Sequence, residues 1–520
     1  MNYRIVWNTL GKVLLAEALL LLLPMTAALV YRESALPFLI PDLLLLPAGA
    51  ALSTIRPRSS DLFAREGFVC VGLSWILMSL FGALPFVLSG DIPRFVDALF
   101  ETVSGFTTTG ASILENPELL SRGCMFWRLF THWIGGMGVL VFIAAVLPVS
   151  GNSYLYIMRA EVPGPTVSKL VPRVRKTARI LYLIYLGLTV LECIFLLLGG
   201  MSFYDALLHS FATAGTGGFS TKAASIGAYQ SVYLEMVIAV FMLLFGCNFN
   251  LFYLILIGQV STALRSEELH IYLGIIAGTV LVISVNIMKL CGGFANGLRY
   301  AFFQVMTILS TTGFSTCDFD RWPELSRWIL VLLMFIGGCA GSTGGGMKVS
   351  RIIILLKSCH AELKRLILPS RVKRVWFEGK AVSDQVVQGV HVFSLLYLLI
   401  TAAGVLVLTL DGKDLPTNLT ASIACISNVG PGLAAVGPSC NYSFFSGVSK
   451  LVLSLEMLLG RLEIFPMLFL FSPGVWRDGK TRTGFSAGKM QRAYPFQGML
   501  VFLPRLAGNG AGQDAVACLL

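Results

Sequence analysis

The stretch Thr107-Thr108-Thr109-Gly110-Ala111-Ser112 decides the fold, because clusters of similar composition recur three more times along the chain. The other clusters are Gly215-Thr216-Gly217-Gly218-Phe219-Ser220, Ser310-Thr311-Thr312-Gly313-Phe314-Ser315 and Ser427-Asn428-Val429-Gly430-Pro431-Gly432. When they are aligned on Gly110, Gly218, Gly313 and Gly430, successive glycines are 108, 95 and 117 residues apart. Each cluster follows an apolar stretch of 12 residues, at 95–106, 203–214, 298–309 or 416–427. Such a stretch is too short to cross a bilayer and fits a re-entrant segment.

The composition of the whole chain indicates a membrane protein. Its 520 residues include 39 basic and 28 acidic side chains, which give a net charge of +11, and 56% of the residues are hydrophobic. Charged residues make up 13%, whereas soluble domains average about 25%. The charges fall in short islands between long apolar runs. This pattern argues against a soluble enzyme, a disordered regulator and a nucleic-acid-binding module, and is typical of a polytopic membrane protein.

Ten segments are long and apolar enough to be predicted as membrane spans. They lie at 13–31, 36–54, 67–89, 126–149, 179–200, 232–258, 271–291, 327–356, 388–410 and 449–472. The first is interpreted as a retained span and not as a signal peptide. Basic residues concentrate in the loops 54–66, 150–179 and 348–380 and after the last span. By the positive-inside rule these loops and both termini are predicted to be cytoplasmic.

The predicted fold class is an all-α polytopic membrane protein with an N-terminal helix pair and four repeats around one central pore. Each repeat consists of a span, a pore helix, a filter loop and a second span. We place the helix pair at 1–60, the repeats at 61–155, 170–262, 266–360 and 385–475, and a disordered cytoplasmic tail at 476–520.

The residue types of the four clusters favour a potassium pathway. Proteins dehydrate potassium with rings of carbonyl oxygens, and glycine permits the backbone conformations that such a ring needs. A short helix that stops at membrane depth also directs its negative C-terminal end at a cation. The predicted potassium-binding filter residues are Thr107, Thr108, Thr109, Gly110, Gly215, Thr216, Gly217, Gly218, Ser310, Thr311, Thr312, Gly313, Ser427, Asn428, Val429 and Gly430. A single cluster would fit small-residue helix packing equally well, but four copies in register favour a filter.

A glycine-rich stretch interrupts the eighth predicted span. Six glycines fall within ten positions from Gly337 to Gly346, and each weakens a helix by about 1 kcal/mol relative to alanine. We predict a break at membrane depth in the third repeat only, which acts as a gate below the filter. The alternative is a tight helix-crossing surface. The predicted gating residues of this stretch are Gly337, Gly338, Gly341, Ser342, Thr343, Gly344, Gly345, Gly346 and Lys348.

Arg461 is the remaining predicted gating residue. It lies within the tenth predicted span, between Glu456 and Glu463. A charge inside the membrane is costly and usually faces a cavity or a partner. We predict that Arg461 faces the pore and sets an electrostatic barrier for a permeating cation. The alternative is an Arg–Glu pair that only orients helices.

The sequence offers no catalytic residues and no transition-metal site. The eleven cysteines include no Cys-x-x-Cys motif, and the five histidines are not at metal-ligand spacing. A polytopic membrane enzyme and a secondary transporter for another small solute remain alternatives. An enzyme has no reason to keep a fourfold register, and secondary transporters usually carry inverted repeats with paired broken helices.

The four filter clusters, the loop 337–348 and the run Met457-Leu458-Leu459-Gly460-Arg461-Leu462-Glu463 resemble TrkH-type potassium uptake proteins of the bacterial Trk/Ktr/HKT superfamily. The resemblance covers roughly residues 1–475. It implies potassium uptake across the bacterial inner membrane, with K⁺ as the permeant ion and no covalently bound cofactor. It also implies a filter at Gly110, Gly218, Gly313 and Gly430, gated from beneath by the loop 337–348 and Arg461.

The resemblance further implies partners. These are a second copy in a homodimer, membrane lipid and a cytosolic nucleotide-binding regulatory subunit of the TrkA-like kind, with no nucleic acid. The basic segments 169–179 and 348–380 are our hypothesis for the docking surface of that subunit. Proton-coupled symport and gated passive conduction both fit the sequence. The second filter is richer in glycine than the others, from which we expect a less constrained geometry and modest selectivity. The tail 476–520 does not match the family.

Overall fold

The computed structural model of this chain describes residues 1–56, 64–138, 174–367 and 374–476. This part of the chain is built from α-helices joined by short 3₁₀ turns, with one two-stranded antiparallel hairpin of β1 (Trp376–Phe377) and β2 (Lys380–Ala381). The end of the fourth predicted span, most of the basic loop 150–179 and the tail from residue 477 lie outside the described residues.

The α-helices follow the alternation of long and short apolar segments in the sequence. In chain order they are α1 (Tyr3–Val30), α2 (Leu36–Ser53), α3 (Ala64–Gly82), α4 (Leu84–Ser89), α5 (Phe95–Phe106), α6 (Arg122–Gly136), α7 (Val174–Leu198), α8 (Phe203–Gly215), α9 (Val232–Gly246), α10 (Phe249–Leu256), α11 (Val260–Leu264), α12 (Glu267–Ile287), α13 (Phe294–Leu309), α14 (Glu324–Ile336), α15 (Val349–Ile367), α16 (Asp384–Leu408), α17 (Leu415–Ile426), α18 (Gly447–Arg461), α19 (Phe465–Phe471) and α20 (Pro473–Trp476). The short 3₁₀ turns are Pro117–Leu119, Ser225–Tyr229, Phe319–Arg321, Thr409–Asp411 and Ala434–Val436.

The chain is a multi-pass membrane protein. Within the described ranges, six segments are helical, long and apolar enough to cross a bilayer, and the pair α9–α10 is a seventh if its bend is allowed. The six segments are Tyr3–Val30, Leu36–Ser53, Arg65–Ser89, Arg179–Leu198, Glu267–Ile287 and Asp384–Asp411. Large apolar side chains such as Leu43, Leu198 and Leu406 are exposed on them. A hydrocarbon environment is where such surfaces are stable.

Four copies of one pattern follow the helix pair α1–α2. A first span (α3–α4, α7, α12 or α16) leads to a short helix (α5, α8, α13 or α17), a filter loop and a second helix (α6, α9, α14 or α18). The four predicted short helices are confirmed. Phe95–Phe106 matches the predicted bounds, and the other three differ from them by at most four residues at either end.

The second helices correct one prediction. We expected a break only in the third repeat, at the glycine-rich stretch. The break in that repeat is present between α14 and α15, but α9 and α10 also bend by 91° after Gly246. In the fourth repeat α18 ends at Arg461 and α19 starts at Phe465, with left-handed backbone at Glu463 and Ile464. The predicted continuous sixth and tenth spans are therefore wrong.

The helix pair α1–α2 is tied to the first repeat through a carboxylate. The connection between α1 and α2 carries Glu33, whose two oxygens accept the backbone N–H groups of Arg122 (2.7 Å) and Gly123 (2.9 Å). These N–H groups belong to the first turn of α6, where no partner exists within the helix and negative charge is favoured. The pair thus fixes the start of the helix that ends beneath the first filter loop.

Candidate functional site

Each short helix ends directly at a filter loop, and all four loops leave the helix in the same way. The backbone N–H of the third filter residue bonds to the carbonyl five residues earlier in the helix. The four bonds join Thr109 to Ser104 (2.9 Å), Gly217 to Ala212 (2.8 Å), Thr312 to Thr307 (2.8 Å) and Val429 to Ala424 (2.9 Å). The chain therefore turns back at the negative C-terminal end of each short helix, which favours a nearby cation.

The filter loops share an unusual backbone. The second residue of every loop is left-handed without being glycine, with φ of 56° at Thr108, 56° at Thr216, 61° at Thr311 and 55° at Asn428. The fourth residue is a left-handed glycine in all four, with φ between 76° and 94°. Left-handed β-branched residues are rare, and each such strained residue costs about 1–3 kcal/mol. This strain recurs at three equivalent threonines, with asparagine in the fourth loop, which indicates a functional requirement and not a packing accident.

The four loops close into a ring through the glycine at the fourth position of each loop. A β-carbon on Gly110 would overlap the carbonyl oxygen of Gly217 in the second loop. The same overlap joins Gly218 to Thr312, Gly313 to Val429 and Gly430 back to Thr109. Only glycine allows backbones to approach so closely. The four loops thus succeed one another in chain order, and the fourth closes on the first.

Side chains link neighbouring loops and fill the space behind them. The amide of Asn428 donates to the Thr109 hydroxyl (2.9 Å), which connects the fourth loop to the first. Paired hydroxyls occupy equivalent positions in the first and third loops, Thr107 with Thr109 (2.8 Å) and Ser310 with Thr312 (2.7 Å). The second residue of two loops carries a buried oxygen without a hydrogen-bond partner among the described residues, Thr108 Oγ1 and Asn428 Oδ1.

The second filter loop, which has more glycines than the other three, follows the same backbone pattern, contrary to the looser geometry that we expected. The reason is His132 of α6, whose ring occupies the space that a β-carbon on Gly217 would need. Its Nδ1 lies 2.7 Å from the Gly105 carbonyl, and its Nε2 accepts the Phe219 N–H at 3.2 Å. The extra glycine therefore makes room for a histidine that holds the first and second repeats together.

Sequence reasoning missed several side chains that support the ring. Arg128 forms a buried salt bridge with Glu101 at 2.6 Å and donates to the Ser220 carbonyl just beyond the second loop at 3.2 Å. In the fourth repeat, the Tyr442 hydroxyl donates to the Gly430 carbonyl at 2.6 Å. A buried charge such as the Arg128 guanidinium needs a partner. The partner is distant in sequence, so only the proximity of Arg128 to His132 in a polar stretch of α6 could have drawn attention to it.

The glycine-rich loop 337–348 packs against one end of the ring. The Gly345 N–H donates to the Thr311 hydroxyl at 2.6 Å, and a β-carbon on Gly345 would overlap the Ser427 carbonyl oxygen. A β-carbon on Gly344 would lie 2.8 Å from the Ser310 carbonyl oxygen. The loop therefore contacts the third and fourth filter loops through its backbone, and side chains at these glycines would separate the two.

The bend between α9 and α10 anchors the other side of this loop. The Cys339 N–H donates to the Gly246 carbonyl at 2.9 Å, and the Thr343 hydroxyl donates to the Phe245 carbonyl at 3.2 Å. Ser342 bonds within the loop, to the Cys339 carbonyl at 2.6 Å, and Lys348 Nζ donates to the Gly344 carbonyl. The glycine-rich loop of the third repeat thus packs against the bend between α9 and α10 in the second repeat.

Arg461 spans three repeats beneath the ring. From the end of α18 in the fourth repeat, its guanidinium donates to the Thr343 carbonyl of the glycine-rich loop at 2.7 Å. It also donates to the Gly135 and Gly136 carbonyls at the end of α6, both at 2.6 Å. Its two neighbouring acids bind elsewhere, Glu463 to Arg351 and Glu456 to the Ser422 hydroxyl. Arg461 therefore connects the fourth repeat to the first repeat and to the glycine-rich loop of the third.

The predicted site residues are thus brought together in two layers, the ring and the glycine-rich loop with Arg461 against it. Three or more His, Cys, Asp or Glu side chains arranged to hold a metal ion are not found in the described part of the chain. The ring instead presents backbone carbonyls, hydroxyls and one amide, which are uncharged oxygen donors.

This geometry defines a class of protein: a multi-pass membrane protein in which four repeats of one chain close a single ring of re-entrant loops. Comparison with known families identifies the particular family within this class. The family model for TrkH, described as a cation transport protein, matches residues 43–477. The chain belongs to the TrkH family.

Individual relatives agree with this assignment along nearly the full chain. The Trk system potassium uptake protein TrkH of Escherichia coli (strain K12) is 37% identical over 487 residues, which cover 92% of this chain and 100% of that protein. The Trk system potassium uptake protein TrkG of the same organism is 35% identical, with 92% and 99% covered. The crystal structure of the potassium transporter TrkH from Vibrio parahaemolyticus matches with a TM-score of 0.83 at 34% identity, covering 92% of this chain and 100% of that one.

Proposed function

We propose that this chain is a potassium uptake protein, in which K⁺ crosses the membrane through the ring of the four filter loops. The closed ring is the observation that carries the proposal. Its members come from four equivalent positions of one chain, and each approaches the next through a glycine that tolerates no side chain. The relatives named above, which are potassium uptake proteins, support the choice of ion.

The chemistry of the ring fits a large monovalent cation. Carbonyl and hydroxyl oxygens can replace the hydration shell of potassium without binding it so tightly that it cannot leave. Four helix C-terminal ends add negative potential at the ring.

We further propose that the glycine-rich loop and Arg461 form the gate. The loop lies against the third and fourth filter loops, and Arg461 ties it to the end of α6 across the ring. A fixed positive charge at this position repels a cation that leaves the ring. Conduction therefore requires that the loop and the guanidinium move away together.

The orientation and the partners complete the proposal. The face that carries the loop 337–348 and the basic segment 348–380 is assigned to the cytoplasm, because positive charge is retained on that side. The location is the bacterial inner membrane, where the chain forms a homodimer surrounded by lipid. A cytosolic nucleotide-binding regulatory subunit docks on the basic segments 169–179 and 348–380. These assignments rest on the resemblance and on the charge pattern.

The test is cation flux into proteoliposomes that contain the purified full-length chain, with K⁺, Rb⁺ and Na⁺ compared under the same gradient. We expect K⁺ and Rb⁺ to enter faster than Na⁺, because the ring offers uncharged oxygens in a fixed geometry. The assay is run with and without the regulatory subunit and its nucleotide. If no cation enters under either condition, the proposal is wrong, and a membrane enzyme or a transporter for another solute becomes the better interpretation.

A further inference from the structure

A buried carboxyl group outside the ring binds both the glycine-rich loop and the start of the helix that follows it. Glu268, in the first turn of α12, is only 4% exposed. One of its oxygens, Oε1, accepts the backbone N–H of Ala340 at 2.7 Å and that of Ser350 at 3.1 Å. A carboxyl oxygen has two lone pairs and can accept two hydrogen bonds at once. A single side chain therefore fixes two backbone positions that are ten residues apart.

The two positions bracket the part of the loop that touches the ring. Ala340 precedes the contacts made by Thr343 and Gly345, and Ser350 lies in the first turn of α15, which resumes the broken helix. The N–H groups of a first helical turn lack partners within the helix, and an acidic group is favoured there. Glu268 thus supplies from a neighbouring helix both an anchor for the loop and the missing acceptor at the start of α15.

Glu268 is itself held by the hairpin β1–β2. Glu378, at the tip of that hairpin, accepts the backbone N–H of Glu268 at 3.0 Å and the hydroxyl of Ser266 at 2.7 Å through the same oxygen. The neighbouring Glu267 pairs with Lys357 of α15, which also donates to the Trp376 carbonyl of β1 at 2.8 Å. The position of the hairpin therefore determines where α12 begins and where the Glu268 carboxylate lies.

We propose that Glu268 is a positioning residue of the gate, and that Glu378 connects it to the hairpin in one hydrogen-bonded linkage. Movement of the hairpin is transmitted through Glu378 to the start of α12, and from Glu268 to the loop at Ala340 and Ser350. This inference rests on the proposed function of the loop as a gate. It adds the route by which an event on the basic face of the protein reaches a loop at membrane depth.

The first test is K⁺ flux into proteoliposomes that contain Glu268→Ala, Glu378→Ala or both substitutions. Each single variant is expected to raise flux, by about tenfold for Glu268→Ala, because two hydrogen bonds that hold the chain on either side of the ring contacts are lost. The double variant adds nothing beyond Glu268→Ala, because residues of one linkage are not additive. Glu268→Gln, which keeps an oxygen acceptor, gives a smaller increase than alanine. The ratio of K⁺ to Na⁺ flux stays the same in all of them, because the ring is not touched.

A matched control and a second readout separate this role from general destabilisation. Glu324→Ala removes an acidic side chain from the exposed start of α14, outside the proposed docking segments, where Glu324 pairs with Arg327, and leaves flux unchanged. Hydrogen–deuterium exchange is followed in the peptide 338–350. Glu378→Ala is expected to accelerate exchange in that peptide although Glu378 does not contact it, whereas Glu324→Ala is not.

The two proposals fail separately. If Glu378→Ala matches Glu324→Ala in both flux and exchange, the linkage is wrong while the gate stands. If wild-type protein passes no K⁺, the proposed function is wrong, and the exchange measurement still decides whether the hairpin controls the loop.

Discussion

Gly110→Ala is expected to lower K⁺ flux about tenfold or more and to reduce the preference for K⁺ over Na⁺, since each 1.4 kcal/mol added to a barrier slows passage tenfold. Gly110 has φ of 81°, and a β-carbon there would overlap the Gly217 carbonyl oxygen of the neighbouring loop. The overlap displaces a carbonyl of the ring. The measurement is the K⁺ and Na⁺ flux of the variant in proteoliposomes.

Gly90 provides the matched control for this prediction. It has the same φ of 81°, but a β-carbon at Gly90 would meet nothing within 4 Å. Gly90→Ala therefore carries the same cost of a left-handed alanine, about 1–2 kcal/mol, without any contact to the ring. Its flux and selectivity should match those of the wild type. Wild-type flux and selectivity in Gly110→Ala would mean that K⁺ does not pass the ring.

Arg461→Ala is expected to raise K⁺ flux about tenfold or more. The guanidinium donates to three carbonyl oxygens from two other repeats, and a hydrogen bond from a charged group contributes about 1.5–3 kcal/mol. Its removal frees the glycine-rich loop from α6 and also removes a positive charge from the cation path. Both effects favour conduction. The initial rate of ⁸⁶Rb⁺ uptake measures the change.

Two further variants show which property of Arg461 matters. Arg461→Lys keeps the charge but cannot reproduce the planar fork that reaches Thr343 and α6 together. If bridging dominates, the lysine variant conducts like Arg461→Ala; if charge dominates, it conducts like the wild type. Arg321→Ala removes an arginine whose side chain is exposed and pairs with Asp318, and it should leave uptake unchanged. Equal uptake in Arg461→Ala and Arg321→Ala would remove Arg461 from the gate.

The short helices could be predicted because their boundaries are local properties of the sequence. A helix formed by an apolar stretch is expected to end where a cluster of small polar residues begins. Phe95–Phe106 matches its predicted bounds. The ring residues could be predicted for a different reason. The fourfold register identified equivalent positions before any contact was known. The left-handed second residues could not, since three of the four are β-branched threonines, which such a backbone disfavours.

The breaks in the second helices could not be predicted because their cause is tertiary. The run 232–258 is apolar apart from Glu235, Gly246, Asn248, Asn250 and Gly258, and hydropathy alone favours one span. The helix ends at Gly246 where its carbonyl accepts the Cys339 N–H of the glycine-rich loop. The fourth-repeat break likewise places Arg461 at a helix end. Glu268 was missed because it reads as an ordinary acidic residue in the first turn of a helix.

The breaks also change one argument against a secondary transporter. Interruption of several second helices means that a single broken helix no longer distinguishes this chain from such proteins. The distinction rests instead on the ring, because its four members follow one another in chain order through equivalent glycines. A site formed by two inverted halves would pair positions in a different order.

The most direct test of the account is the position of a bound ion. Crystals of the full-length protein grown in Rb⁺ would be measured at the rubidium absorption edge, where anomalous scattering identifies Rb⁺ without ambiguity. We predict an anomalous peak enclosed by the four filter loops, between Gly110 and Gly313 and between Gly218 and Gly430, which weakens when K⁺ replaces Rb⁺. A protein that takes up Rb⁺ but shows its peaks only outside this ring would contradict the central claim that the four loops form the filter.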